Sequence, residues 1–347
     1  MSPPFSLAPN APRERRPSGT RAPAPPSASA PPPALAPTPA PAPAEALPGG
    51  WEARLEISVA RAGERTVFAR VRSQGPLVAQ RLFYPEKTIF RAGAPPLPAP
   101  AHLCPLFPPG GLVSGDSLAT RLTLMEGAAL LATTTGATRF YRARENGPPQ
   151  RAESVLTLGR DSSLEWLPQE TIVFSGARGV AESRIEMEEG AKLIFAEITV
   201  LGRPGAMEEF ARGRFDSFLS VRAHGRLALR ERTGAVGSLE ETGGPRWAQS
   251  PVGLGGYPTS AFFLAGGGGA REREKLERLA GALQRARGKG ARLFPEAWGV
   301  TARDGFLLLR AVGADAGAAR ALLYLAWKLA RPALLGRAAR PPRIWRT

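Results

Sequence analysis

Three segments near the middle of the chain repeat one pattern of apolar and polar positions. In each copy two apolar residues flank a polar one, a turn with an acidic residue or glycine follows, and small residues lead to another apolar position. The copies occupy residues 122–130, 156–164 and 185–193. Leu124, Leu158 and Met187 hold the same place, so the offsets are 34 and 29 residues. Periods of this size are typical of stacked supersecondary units, and the alternation predicts that the unit is built of β-strands.

The alternation extends to both sides of the repeats. Residues 55–59 alternate between apolar and polar and open a hairpin pattern that turns at Gly63. Residues 221–229, with a turn at His224 and Gly225, are predicted to be a degenerate fourth copy. Stacked β units favour a solenoid-like or layered sheet over a closed enzyme pocket.

The pattern changes near the C-terminus. Residues 271–287 carry leucines on one helical face, and residues 298–310 alternate like a hairpin with a turn at Asp-Gly. Residues 316–330 predict a second helix, capped by Asp315 and ended before Pro332. The chain is therefore predicted to be mainly β, with stacked strands and hairpins and an appended C-terminal α+β portion.

Composition divides the chain into three predicted parts. Residues 1–50 hold 16 of the 36 prolines and few large apolar residues, so a disordered Pro/Ala-rich tail is expected there. Residues 51–265 are expected to form the β-rich stacked domain. Residues 266–347 are expected to form a helix-containing portion packed on it.

The net charge of +16 permits binding to nucleic acid, to an anionic membrane or to an acidic protein. From residue 271 onward there are 17 basic and 6 acidic residues, so much of the asymmetry lies in the C-terminal part. A solvated basic face is the most common explanation for such a charge. The abundance of arginine, alanine, glycine and proline also fits a GC-rich genome, which lowers the value of charge as a functional signal.

Few residues are available for catalysis or for a metal. Cys104 is the single cysteine, so no intrachain disulfide forms. His102 and Cys104 are two residues apart and could both bind a soft metal, but a pair without further ligands favours ordinary packing. The sequence has no phosphate-binding loop and no Gly-x-Ser-x-Gly nucleophile motif. A binding or assembly protein is favoured over an enzyme.

Localisation follows from two further absences. No apolar run reaches the ~18–20 residues that a membrane-spanning helix needs. The N-terminus does not have a basic segment followed by an apolar core, as a signal peptide would. The expectation is a cytoplasmic protein that does not bind a membrane.

The segment Trp166–Phe174 is the densest run of large apolar residues interrupted by polar ones. Pro168 cannot donate to a central ladder, so regular strand pairing is predicted to end there. Glu170 then lies at a bend among large apolar residues. It either fixes a structural corner or faces a ligand or partner.

Several short segments of the sequence resemble the UreD family of urease accessory proteins, also called UreH. They lie at residues 75–85, 108–116, 136–142, 166–174, 201–204 and 342–347. Their order matches the family over residues 51–347. The order Ala-His-Leu-Cys at residues 101–104, and Phe107 before the double proline, depart from the family pattern and weaken a metal role for that stretch.

The resemblance implies a protein that is not an enzyme. Family members form a complex with UreF and the GTPase UreG, which docks on apo-urease and supports nickel insertion into its active site. The family fold is a β-helix-like stack of strands with an appended helical portion. A water-filled passage through it has been proposed as the nickel route. No cofactor is expected to bind stably, and nickel would only be in transit.

The resemblance also carries candidate residues onto this chain. Oxygen ligands hold Ni²⁺ less tightly than imidazole or thiolate, which suits a route that an ion must leave again. A turn residue or a satisfied polar group is the structural alternative for each position. The candidate passage residues are Asp116, Thr138, Glu170, Glu197 and Glu231.

Candidate partner contacts come from two of the matching segments. They are Arg139 and Tyr141 in the segment 136–142, and Arg343 and Trp345 at the C-terminus. The expected partners are UreF, UreG and the urease apoprotein, and no nucleic acid is expected. The alternative function is a basic nucleic-acid-binding β-protein, suggested by the net charge and by two aromatics between two arginines. A carboxylate-based hydrolase has the least support.

Overall fold

A computed structural model of the chain describes residues 50–91, 93–236, 247–267, 269, 272–289 and 293–346. The predicted tail over residues 1–50 therefore lies outside the described residues, apart from Gly50. The strands of the described part are β1 (Glu52–Ala62), β2 (Arg65–Gln74), β3 (Val78–Ala79), β4 (Ile89–Arg91), β5 (Ala94–Leu97), β6 (Ala101–Leu103), β7 (Pro105–Leu106), β8 (Gly111–Leu112), β9 (Ser117–Leu124), β10 (Ala129–Ala132), β11 (Thr138–Phe140), β12 (Gln150–Leu158), β13 (Ser163–Trp166), β14 (Thr171–Val173), β15 (Arg178–Met187), β16 (Lys192–Leu201), β17 (Arg214–Ala223), β18 (Arg226–Val236), β19 (Thr259–Gly266), β20 (Ala297–Arg303) and β21 (Phe306–Gly313). The two α-helices are α1 (Arg273–Lys289) and α2 (Ala316–Leu335).

A seven-stranded sheet is formed by the long strands in the order β18-β17-β15-β12-β9-β1-β2. Its five inner strands run parallel, and β2 and β18 close the edges as antiparallel neighbours. Leu124 pairs with Leu158, and Leu158 pairs with Met187. The predicted offsets of 34 and 29 residues are thus confirmed as the lengths of successive coils.

A ten-stranded sheet faces the first one, with its main path in the order β20-β21-β19-β16-β13-β10-β6. The short strands β8, β11 and β14 continue its parallel part beyond a bend. Because the chain passes from one sheet to the other in each repeat, the predicted mainly β, β-helix-like stack is confirmed.

The fourth copy differs from the prediction. Val221 pairs in parallel with Ile185, so β17 belongs to the stack. The chain then turns back at His224 and Gly225, both in the left-handed region, and forms an antiparallel hairpin. Residues 221–229 therefore end the stack instead of adding a coil that crosses to the second sheet.

Two large apolar cores hold the layers together. Between the sheets, the aligned residues Leu122, Leu156, Ile185 and Val221 are each at most 1 % exposed. Each buried aliphatic chain of this kind stabilises by roughly 1.5–3 kcal/mol. The second core lies between the ten-stranded sheet and the two helices.

The C-terminal elements form largely as the pattern predicts. The hairpin of β20 and β21 turns at Asp304 and Gly305, and both have positive φ. Asp315 caps α2 by accepting the N–H groups of Gly317 and Ala318. The prediction that this helix ends before Pro332 is wrong, because α2 continues to Leu335 and buries Leu334 in its last turn.

The boundary between residues 265 and 266 stays a prediction about domains. In the structure β19 crosses this position and joins β16 to β21 within one sheet. The described part of the chain has no helix with the length and apolarity to cross a membrane.

Candidate functional site

A row of hydroxyl side chains crosses the inner face of the seven-stranded sheet. Thr120 pairs with Ser154, and Ser154 pairs with Ser183, on neighbouring parallel strands. Side chains alternate between the faces of a strand, so this row faces the same way as the buried apolar row two residues further on. The polar row therefore points between the two sheets.

A second hydroxyl row faces the first. Thr138, Thr171 and Thr199 are in register on β11, β14 and β16. They share a face with Phe140 and Val173, which are fully buried in a small apolar cluster at one end of the stack. The space between the sheets thus has a polar layer between two apolar ones.

A cavity of about 260 Å³ occupies this polar layer and opens to solvent at the exposed residues Thr135 and Gly136. Its lining includes the hydroxyl-bearing residues Thr120, Thr138, Ser154, Thr171 and Ser183, together with Glu197. We refer to it as the hydroxyl cavity. A space of this size and polarity admits water, because its walls offer several hydrogen-bonding groups.

Glu197 is the carboxylate that β16 projects between the sheets into this cavity, whose lining also includes Glu153 and Glu182. The hydroxyl of Ser183 donates to its Oε1 atom at 2.8 Å. Burial raises the pKa of Glu197 to about 7, because the hydrogen bond from Ser183 compensates only part of the lost hydration. Near neutral pH the protonated and ionised forms of this carboxyl group are therefore both populated.

A groove of about 500 Å³ lies on the other side of the ten-stranded sheet, beneath α2. Its walls include Leu323, Tyr324, Trp327 and Trp345. We refer to it as the α2 groove. The groove and the hydroxyl cavity share the lining residues Pro168, Gln169, Glu197 and Ile198. Glu197 therefore lies where an inner polar space meets an outer one.

The raised pKa of Glu197 predicts a pH-dependent stability. The folded chain holds the proton up to about pH 7, whereas an unfolded glutamate loses it near its ordinary pKa of ~4.3. The free energy of unfolding that depends on this group therefore falls as the pH rises from about 4.5 through 7. Glu197→Gln is expected to be more stable than wild type by about 3 kcal/mol at pH 8, and equal at pH 4.5.

Urea unfolding at both pH values measures this difference. Glu189→Gln is the matched control, because Glu189 is an exposed carboxylate. An identical pH dependence in Glu197→Gln and wild type would contradict the assignment.

Glu170 lies at the rim of the α2 groove, between β13 and β14. Its Oε1 atom accepts from the Nε atom of Arg320 at 2.7 Å, and its side chain is 9 % exposed. Strand β13 ends at Trp166 and β14 begins at Thr171, so regular strand pairing is interrupted around Pro168 as predicted. Glu170 is thus a paired carboxylate of the groove and does not line the hydroxyl cavity.

The other two candidate carboxylates lie outside both spaces. Asp116 is buried and accepts the backbone N–H groups of Val113 and Trp51, at 2.7 and 3.2 Å. Glu231 forms a two-bond salt bridge with Arg310 and joins the last strand of one sheet to a strand of the other. Of the five predicted passage residues, the structure brings Thr138 and Glu197 together in one cavity.

Comparison with known proteins identifies the family. The family model described as "UreD urease accessory protein" matches residues 52–346. This chain belongs to the UreD family. Similar proteins named "Urease accessory protein UreD" include one from Pseudomonas paraeruginosa, 37 % identical over 86 % of this chain and 95 % of its own length. Another, from Alkalilimnicola ehrlichii, is 40 % identical over 86 % of this chain and 92 % of its own length.

The predicted partner contacts of this UreD-family chain have different surroundings. The ring of Tyr141 packs edge-on against Phe174, with ring centroids 5.0 Å apart. Arg139 donates to the carbonyl oxygen of Gly110 at 3.3 Å. Arg139 lies within β11 and Tyr141 directly follows its end, and contact of either residue with a partner stays a prediction.

The two C-terminal candidates also differ from each other. Trp345 donates from Nε1 to Thr133 Oγ1 at 2.9 Å and packs on Trp327 at 5.4 Å. It therefore anchors the C-terminal segment to the stack and lines the α2 groove. Arg343 is exposed.

The stretch with His102 and Cys104 has a structural explanation. His102 Nε2 lies 3.1 Å from Glu86 Oε1 in the buried interior. Burial raises the pKa of the Cys104 thiol, which disfavours the thiolate that a soft metal needs. Over the described ranges, no three His, Cys, Asp or Glu side chains cluster as a metal site would require.

Sequence reasoning missed the hydroxyl rows, although a signal for one of them was present. In each repeat copy a hydroxyl residue precedes the first apolar position by two: Thr120, Ser154 and Ser183. The buried arginine Arg331, which joins Glu86 and Glu165, was also missed. It occupies an ordinary helical position and carries no sequence signal.

Proposed function

We propose that this chain is a urease accessory protein that acts as a non-enzymatic chaperone in nickel insertion. It works with UreF and the GTPase UreG in a complex that docks on apo-urease. Membership of the UreD family, whose similar members are named urease accessory proteins, supports the urease accessory role. The chemistry of the interior supports a role in the passage of nickel ions.

The observation that carries the nickel proposal is the shared position of Glu197. This residue faces the hydroxyl cavity on one side of the ten-stranded sheet and lines the α2 groove on the other. An ion that moves between these spaces passes this carboxylate. Hydroxyl oxygens replace part of a hydration shell, and oxygen ligands bind Ni²⁺ weakly enough for release.

Glu197 suits a transfer position better than the other candidate carboxylates. Its protein partner is one neutral hydroxyl, whereas Glu170 and Glu231 are held by arginines. An approaching divalent cation favours the ionised form of a nearby carboxyl group. With a pKa of about 7, Glu197 can release its proton when nickel arrives and take it back when nickel leaves.

The test is the variant Glu197→Gln, produced together with urease and the other accessory proteins. We expect urease to contain at least tenfold less nickel and to show correspondingly lower activity, because the amide cannot become an anion. Nickel content is measured by atomic absorption on purified urease. The exposed control Glu189→Gln is expected to behave like wild type.

The opposite result is equally clear. If Glu197→Gln folds, joins the complex and still gives fully nickel-loaded urease, the proposed route through Glu197 is wrong. If urease reaches full activity in a host that lacks this chain altogether, the accessory role itself is wrong.

A further inference from the structure

The loop after β16 presents an exposed apolar side chain in an unusual backbone conformation. Met207 is 94 % exposed and has φ of 55°, in the left-handed region. Its N–H group donates to the carbonyl oxygen of Pro204 at 3.0 Å, which closes a single 3-10 turn over Pro204–Ala206. For a residue with a side chain, this conformation costs roughly 1–2 kcal/mol.

The loop is held firmly despite its exposure. Arg203 and Glu208 exchange two backbone hydrogen bonds at its base, at 2.7 and 3.2 Å. Their side chains also form a salt bridge. Glu208 Oε1 accepts the N–H group of Ser175 at 3.2 Å, and the guanidinium of Arg203 lies 4.9 Å from the ring centre of Phe174. The strained methionine is therefore fixed in place.

The backbone of Met207 closes the turn, but its side chain adds nothing to the packing of the loop. The turn over Pro204–Ala206 buries no residue, and the Met207 side chain contributes almost no buried area. A strained conformation that the surroundings enforce is typical of functional sites. An apolar side chain held out in water at a cost indicates a surface that another molecule covers.

Neighbouring corners of the stack extend this surface. Tyr141 and Phe174 follow the ends of β11 and β14, and their backbone N–H groups bond to the preceding coil. Their rings pack edge-on at 5.0 Å. Val113, at the corresponding corner one coil earlier, is 44 % exposed. We define the corner surface by the residues Val113, Tyr141, Arg142, Phe174, Arg203 and Met207.

The charges of the corner surface select its partner. Arg142 is exposed and forms no hydrogen bond or salt bridge with any described residue. Arg212, which comes before β17 in the chain, is also exposed. Aromatic residues, methionine and arginine are the residue types enriched at protein interfaces. Unpaired guanidinium groups beside them favour carboxylates on the partner.

We propose that the corner surface is a docking site for a partner protein that offers an apolar pocket to Met207 and carboxylates to Arg142. This proposal rests on the proposed function, in which the chain works inside an assembly of proteins. A protein fits better than a nucleic acid, because Met207 has no flat face on which a base could stack and Glu208 and Glu209 stand beside it.

The experiment measures the affinity of purified full-length variants for two probes, UreF and apo-urease. Met207→Asp and Arg142→Glu are each expected to weaken binding to one of the probes at least tenfold. Met207→Gly is expected to weaken the same binding, although glycine relieves the backbone strain. Leu227→Asp is the matched control, because Leu227 is an exposed apolar residue at the start of β18. This variant is expected to bind like wild type.

Each of the other possible results contradicts a specific part of the proposal. Unchanged affinity of Met207→Asp and Arg142→Glu for both probes would overturn the corner surface and leave the accessory role intact. If wild type bound neither probe, the assembly role and the docking site would both fall. If Arg142→Glu lost binding to a DNA or RNA duplex while Met207→Asp bound both proteins normally, the surface would belong to nucleic acid. Thermal melting confirms that each variant is folded.

Discussion

Replacing Arg331 by methionine is expected to lower the free energy of unfolding by about 3–5 kcal/mol at pH 7. Arg331 on α2 is fully buried. Its Nε atom donates to both carboxylate oxygens of Glu165, at 2.9 and 3.0 Å. Its Nη atoms donate to Glu86 at 2.6 and 3.1 Å, and to the carbonyl oxygen of Ala338 at 2.6 Å. One guanidinium thus joins the stack, α2 and the C-terminal segment.

The large effect arises because methionine leaves two buried carboxylates without their cation. Burial raises the pKa of Glu165 despite the attraction of Arg331. Burial also opposes the charge of Glu86, but hydrogen bonds from His102 and Arg331 outweigh it and lower the pKa to about 2. Stability from Glu86 is therefore present above its ordinary pKa of ~4.3 and is lost as the pH falls toward 2.

Urea unfolding followed by far-UV circular dichroism measures the change. The control is Arg343→Met, which removes an exposed arginine from the same C-terminal region, and we expect a change below about 0.5 kcal/mol. Combining Arg331→Met with Glu165→Gln should recover part of the loss, because one of the two orphaned charges is then removed. Equal stability of Arg331→Met and wild type at pH 7 would show that the buried charges are not coupled through this residue.

Replacing Ser154 by leucine is expected to reduce urease activation at least tenfold. Ser154 is the middle member of the inner hydroxyl row, between Thr120 and Ser183, and lines the hydroxyl cavity. Leucine removes one oxygen and fills part of a space of about 260 Å³ with hydrocarbon. An ion with part of its hydration shell cannot cross an apolar plug without losing several kcal/mol of solvation.

Val155→Leu is the matched control, since it adds a methylene group to the next residue of β12, which faces away from the cavity. Nickel content and activity of urease are compared after production with each variant. Over-packing can cost about 1–3 kcal/mol, so melting temperature and UreF binding are measured on the same samples. A folded, UreF-binding Ser154→Leu chain that activates urease fully would show that nickel does not cross the hydroxyl cavity.

Much of the fold was accessible from local patterns. The apolar repeat at Leu124, Leu158 and Met187 predicted the stacked strands, and the register confirms it residue by residue. The Asp-Gly turn and the Asp315 cap were accessible too, because each is decided by neighbours within a few residues. The end of the last helix was not, because the burial of Leu334 against distant residues outweighs the preference of Pro332 for ending a helix.

The candidate site was accessible only in part. Thr138 and Glu197 were predicted from sequence segments that match the family, and the structure places both in one cavity. The same reasoning also selected Asp116, Glu170 and Glu231, whose oxygens are occupied by backbone N–H groups or by arginines. No short sequence segment shows which carboxylate is already paired with an N–H group or an arginine.

The sequence by itself determined the mainly β stack, its coil lengths, the two C-terminal helices and the family. These follow from side-chain alternation and short matching segments, which are local features of the chain. Only the tertiary structure decided which polar groups are paired and which stay open to a passing ion. The reason is distance along the chain: Arg331 meets Glu165 across 166 positions and Glu86 across 245. Electrostatics and desolvation act through space. Glu197 therefore differs from Glu170 and Glu231 because the fold places a hydroxyl group beside it, whereas it places an arginine beside each of the other two.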